Sequence, residues 1–192
     1  MLPVSISVLT ICGIEELPSH GSRSVSHVLS VLDPERPDIT AFAEYGTHHR
    51  TTLRFHDIID PLPGQIMPSR EHMEAILEFG TLLGDSREER TEGHLLVHCH
   101  MGISRSTAAM ATLMAQAEPE IDDDEIFSRL RGIRQQAWPN SVMVAMADEM
   151  LDRKGRMVEA LRRHYGHQIV AQPKYAEWMG ELGRGREVEM AL

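Results

Sequence analysis

The twenty residues from Leu95 to Met114, LLVHCHMGISRSTAAMATLM, decide how this chain is read. Leu95, Leu96 and Val97 form a short apolar run of buried-strand character, and Thr107 to Met114 is rich in small and apolar residues at helical spacing. The polar stretch between them, His98-Cys99-His100-Met101-Gly102-Ile103-Ser104-Arg105-Ser106, is therefore a turn that leads into a helix. The first N–H groups of a helix have no partner within it, and the helix dipole adds partial positive charge at the same end. Such a turn suits an anion, and a phosphoryl group in particular.

Each residue type in the turn has a chemical reason. A helix N-terminus and a neighbouring arginine both favour the ionised form of a thiol, so Cys99 is expected to be a nucleophilic thiolate. Arg105 can hold two oxygens of an anion with its planar fork, which lysine does less well. Gly102 allows positive φ and close approach of backbone. Ser104 and Ser106 bring short hydroxyls toward the loop or the sulfur, and His98 can brace the loop through a backbone carbonyl. A merely buried cysteine ahead of a helix leaves Arg105 unexplained, because a cation at the positive end of the dipole is unfavourable without an anion. Rhodanese-type sulfur transfer also uses a cysteine loop, but it does not need the Arg105-Ser106 pair.

These nine residues resemble the signature of the cysteine-dependent protein tyrosine phosphatases, and the pattern HCxxGxSRS is most similar to their dual-specificity branch. The resemblance extends more loosely over Leu53 to Leu151, through the strand-like Thr51 to Asp57 and the segment Arg131 to Leu151 with its Trp138-Pro139-Asn140. It implies metal-independent hydrolysis of phosphomonoesters through a cysteinyl-phosphate, with no cofactor. In that scheme Cys99 attacks phosphorus, and the N–H groups of His100, Met101, Gly102, Ile103, Ser104 and Arg105 hold the equatorial oxygens together with the Arg105 guanidinium. Ser106 helps the thiolate leave in the second step. A carboxylic acid on another loop protonates the leaving group. Asp57, directly after the alternating Leu53-Arg54-Phe55-His56, is the favoured acid, with Asp60 as the alternative. Asp57 lies 42 positions before Cys99, farther than is usual in the branch, and the loops Pro61 to Pro68 and Gly84 to Gly93 can absorb the excess. A phosphate-binding regulatory module with little turnover is the second reading of the same residues.

Composition bounds the rest. A chain of 192 residues supports one well-buried domain. Cys12 and Cys99 are its two cysteines, which argues against a disulfide scaffold and for a reducing, cytoplasmic setting. Cys12 is expected in the core. Met1 to Ile11 is apolar but has no basic residue before it, unlike a signal peptide, and no stretch approaches a membrane span. With 29 acidic and 19 basic residues the net charge is −10, so nucleic acid and anionic membranes are disfavoured as partners and a phosphorylated protein or small phosphate ester is preferred. Oligomeric state leaves no mark in these residues. The 11 histidines lack zinc-type spacing and are expected mostly at the solvated surface, and Arg131, Arg134, Arg162 and Arg163 are expected to be paired surface charges.

Strands are expected at Ser5 to Ile11, Val25 to Leu32, Thr51 to Phe55 and Leu95 to Val97. Helices are expected at Ser69 to Leu83 with a Ser69 cap, at Asp122 to Gln136 with an Asp122 cap, and at Ser141 to Tyr165 with an Asn140 cap. This alternation predicts an α/β fold: one three-layer domain with a mostly parallel sheet of four to five strands flanked by helices. The phosphatase domain is expected over residues 1–167, followed by a C-terminal tail, residues 168–192, that packs as a short helix or stays mobile.

Overall fold

Two strands of the sheet are buried along their whole length, and they organise the chain. In the computed structural model, which describes residues 8–85 and 93–192, β2 (His27–Leu32) and β4 (His94–His98) have every residue buried. Near-continuous apolar strands of this kind belong at the centre of a parallel sheet covered on both faces. The edges are β1 (Val8–Cys12) and β3 (His49–Arg54), each partly exposed. The four strands run parallel in the order β1-β4-β2-β3.

Side chains alternate across these strands. Leu29, Val31, Leu95, Val97 and Cys99 join the larger core, beneath α1 (Arg70–Asp85), α2 (Arg105–Ala117), α3 (Asp123–Ile133), α4 (Ser141–Met150) and α5 (Arg156–Ala171). Val28, Leu96 and Cys12 face the other way, into a smaller core closed by two 3₁₀ segments, Ile14–His20 and Thr40–Glu44. The result is the expected three-layer α/β domain with one thick and one thin outer layer. Burial of Cys12 also matches expectation. In α2, every residue from Arg105 to Ala115 is buried. A helix apolar on all sides belongs inside the domain, and its run of alanines lets α1, α3 and α4 approach it closely.

The caps at Ser69, Asp122 and Asn140 form. The Ser69 hydroxyl accepts from His72 N at 3.4 Å, the Asp122 carboxylate from Asp124 N at 2.9 Å, and the Asn140 side chain from Val142 N and Met143 N. The single helix expected over Ser141 to Tyr165 is in fact two. Asp152, Lys154 and Gly155 adopt positive φ between α4 and α5, and the Asp148 carboxylate accepts from Gly155 N, Met157 N and Val158 N, capping α5. Arg153, buried in the break, donates to Ala115 O, Glu118 O and Ile121 O and ties the turn to the end of α2. Most of the expected loop Gly84 to Gly93, like the start of the first expected strand, lies outside the described residues.

Residues 168–192 pack. They hold the end of α5, then α6 (Lys174–Glu181) and the short α7 (Gly185–Met190), with Met179, Arg184 and Glu187 buried. The histidine expectation needs correction: His20, His27, His94, His98 and His164 are buried, and only His49 and His167 are exposed. The rings of His27, His94, His98 and His164 serve as hydrogen-bonding core residues, as where His94 meets Thr10 Oγ1 at 2.8 Å and His164 meets Ala137 O at 2.9 Å.

Candidate active site

Strand β4 delivers Cys99 to the C-terminal edge of the sheet, and α2 begins six residues later at Arg105. The turn between them closes tightly. Gly102 has φ +69°, and a Cβ there would stand 2.5 Å from the carbonyl carbon of Cys12, so the position excludes any side chain. Ile14 N donates to His100 O at 2.9 Å and fastens the turn to the segment after β1. The N–H groups of Met101, Gly102, Ile103 and Ser104 find no acceptor among the described residues.

Cys99 lies at the base of this turn, 2% exposed, with its Sγ 3.1 Å from the Ser106 Oγ. His98 is fully buried beneath it. Its Nε2 meets the Ser30 hydroxyl at 2.7 Å and its Nδ1 meets Cys99 O at 3.3 Å. Burial lowers the His98 pKa to about 4, so the ring is neutral at pH 7. It then donates from Nδ1 to the carbonyl and accepts the serine proton at Nε2, which is the bracing expected of it.

Arg105 is 3% exposed. Its hydrogen bonds run through one atom: Nη1 donates to Asp33 Oδ1 at 2.7 Å and to Phe55 O. Its Nε is buried without a partner among the described residues. The anchored Nη1 fixes the plane of the guanidinium, and the opposite edge remains free for an oxyanion. A buried donor left unpaired costs about 1–3 kcal/mol, so an anion that satisfies it is bound with that gain.

The two carboxyl groups considered as acids lie in different places. Asp57 sits against the turn. Its Oδ1 accepts from Ser104 Oγ at 2.7 Å, from Asn140 Nδ2 at 3.0 Å and from Arg184 Nη1 at 3.1 Å. Burial works against its charged form, but Arg184, Arg105 and these donors outweigh burial and hold its pKa below the usual carboxylate value. Asp60 is exposed and pairs with Arg186 at 3.1 Å. Asp57 and Arg105 share a cleft of about 510 Å³, also lined by Asp33, Glu35, His56, Ile58, Gly64 and Gln65.

Several polar residues at this site escaped the sequence reading. Asp33, at the end of β2, pairs with Arg105 and lies 3.6 Å from His100 Nδ1. Asn140 joins the helix cap to the Asp57 carboxylate. Arg134 is not a surface charge. It donates to Gly102 O and Met101 O, both at 3.0 Å, and grips Glu16 through two bonds of 2.7 Å, supporting the turn from outside. Glu16 in turn accepts from Gly13 N at 2.7 Å. Arg162 and Arg163 do form surface pairs, with Glu159 and Asp124, and Arg131 bonds His164 at 2.9 Å. A Gly-flanked turn shows itself in local sequence, whereas these partners are 72 to 127 positions away from Arg105 and Asp57, or 118 from Arg134 to Glu16.

The whole arrangement can bind a tetrahedral oxyanion above a cysteine sulfur, with a hydroxyl beside the sulfur and a carboxyl group at the rim. Comparison with known proteins agrees on the fold. No family model and no curated sequence matches the chain. Among solved structures, human tyrosine phosphatase-like serine/threonine/tyrosine-interacting protein is 16% identical, with 78% of this chain and 95% of that chain covered and a TM-score of 0.57. Human DUSP28 is 13% identical, with 80% and 97% covered and a TM-score of 0.56. A mouse putative dual specificity phosphatase, complexed with zinc tungstate, is 15% identical, with 84% and 93% covered and a TM-score of 0.55. The chain has the fold of the dual-specificity type of cysteine-dependent tyrosine phosphatases.

Proposed function

We propose that this chain is a metal-independent phosphomonoester hydrolase, a protein tyrosine phosphatase with dual-specificity character, working through a phosphoenzyme on Cys99. The observation that carries this reading is the buried Nε of Arg105, without a partner among the described residues, at the end of a turn that starts at Cys99 and whose Met101 to Ser104 N–H groups also lack acceptors among those residues. Unpaired donors converging from side chain and backbone are what a phosphoryl group satisfies.

In this scheme the Cys99 thiolate attacks phosphorus in line, the Sγ–P bond forms and the P–O bond breaks. Asp57 gives its proton to the departing oxygen. Phosphate at Arg105 offsets the positive charge that otherwise keeps Asp57 ionised, so the acid is protonated in the loaded enzyme. Water then attacks the phosphorus, Asp57 takes the proton back, and the S–P bond breaks while the Ser106 hydroxyl donates to the leaving sulfur. The rim carries Asp33 and Glu35, which together with the net acidity favours a phosphopeptide over polyanionic phosphoinositides. An oxidisable thiolate of this kind suits a reducing compartment such as the cytoplasm.

A panel of phosphotyrosine peptide, phosphoserine peptide and phosphoinositide headgroup tests this reading through released phosphate. Phosphotyrosine is expected to be turned over fastest. Asp57→Asn should lower kcat by about 10² to 10⁴ with little change in KM, and Asp60→Asn, whose carboxylate is exposed, should stay within a few-fold of the parent. A larger loss in Asp60→Asn would move the acid to that residue.

A further inference from the structure

The C-terminal helices reach the active site through an ion pair whose arginine is buried. Arg184, 4% exposed, lies between α6 and α7. Its Nη1 donates to Asp57 Oδ1 and to Ser104 Oγ, both at 3.1 Å, and its Nη2 donates to Glu187 at 2.8 Å. Glu187 is fully buried and also accepts from Trp138 Nε1 at 2.7 Å and Ser141 N at 2.8 Å. A buried carboxylate with three hydrogen bonds is a fixed post, and it holds the arginine in one orientation. Two residues further on, Arg186 donates to Ile59 O at 2.6 Å and pairs with Asp60. The two arginines thus hold both ends of the segment Asp57 to Asp60.

We propose that Arg184 is a positioning residue for the acid step: anchored by Glu187, it fixes the Asp57 carboxylate through Oδ1 and leaves Oδ2 to carry the transferred proton. The inference rests on the phosphatase reading above and adds to it that residues 168–192 are part of the active site. The three donors to Asp57 converge on Oδ1, and Oδ2 has no hydrogen bond among the described residues. Ser104 and Asn140 are neutral, so Arg184 is the charged member of the three. The other ionisable groups around Asp57 are Arg105 from α2, His100 from the turn, Tyr165 from α5, and Glu35 and His56, which line the same cleft, while Asp33 and Glu187 share the two arginines.

A charge in that place has a signature that a scaffold residue lacks. Asp57 works as an acid only when protonated, so kcat/KM falls as pH rises through its pKa. Arg184 favours the carboxylate and lowers that pKa. Removing the charge therefore moves the alkaline limb of the pH profile upward.

The test is the pH dependence of kcat/KM for the full chain on a phosphotyrosine peptide. Arg184→Gln is expected to raise the alkaline limb by about 1 to 3 pH units and to lower kcat at the optimum with little change in KM. Arg184→Lys, which keeps the charge, should leave the limb near its parental place. Should Arg184→Gln fail to fold, the double variant Arg184→Gln, Glu187→Gln removes both buried charges together and is read in the same way. Both kinds of variant should lose more on a phosphoserine peptide than on an aryl phosphate, whose leaving group needs little protonation. An alkaline limb unmoved in a folded, active variant, or equal losses on both substrates, overturns the inference while leaving the phosphatase reading in place. Absence of phosphate release by the parent enzyme overturns that reading instead.

Discussion

Replacing Cys99 with serine is expected to reduce phosphate release by roughly 10⁴-fold or more while leaving phosphate binding intact. The substitution changes one atom at a site that is 2% exposed, and serine accepts the neighbouring Ser106 hydroxyl as sulfur does. In the proposed scheme the donors that hold the anion belong to Arg105 and the backbone, so they survive the change. What is lost is the nucleophile, since a serine hydroxyl in this place has no base beside it: His98 is neutral, with both ring nitrogens engaged. Phosphate release and calorimetric titration with inorganic phosphate check the two halves. Retained turnover would assign the chemistry to another group, and lost binding with a normal melting temperature would show that the sulfur holds the anion.

Arg105→Lys is expected to lower kcat/KM by about 10²- to 10³-fold. Asp33 and Phe55 O hold Arg105 through Nη1, which leaves its Nε, unpartnered among the described residues, for the anion of the proposed scheme. A lysine ammonium is a single point of charge that cannot engage Asp33, Phe55 O and two phosphate oxygens together. KM should rise and kcat fall, because the arginine holds the anion in both ground and transition states. A loss of less than a few-fold in either parameter would mean that the backbone N–H groups suffice.

The turn from His98 to Ser106 was legible because every part of it is local. A strand, a glycine at positive φ and a helix start follow one another within twelve residues of sequence, and their chemistry is set by that spacing. Strands β2 and β4 were legible for a related reason, since burial on both faces writes itself as a continuous apolar run. The turn between α4 and α5 was hidden by a good apolar pattern on both sides, although Asp152-Arg153-Lys154-Gly155 carries a helix-ending glycine and Asp148 a cap. Arg134 and Arg184 illustrate the harder case. Periodicity tells which face of a helix is buried, but a charged side chain that is buried because of a distant carboxylate looks the same in sequence as one in solvent. The Arg184 to Asp57 contact spans 127 positions, and only the folded chain brings the two together.

In the proposed mechanism the Cys99 sulfur carries the phosphoryl group between two chemical steps. Rapid quenching of the Ser106→Ala variant during turnover of an aryl phosphate, followed by mass spectrometry of the peptide containing Cys99, tests it most directly. Loss of the hydroxyl 3.1 Å from the sulfur should slow breakdown more than formation, so a burst of the phenol and a phosphorylated Cys99 peptide are expected. Turnover without a burst, with an unmodified Cys99 at every quench time, would contradict the account.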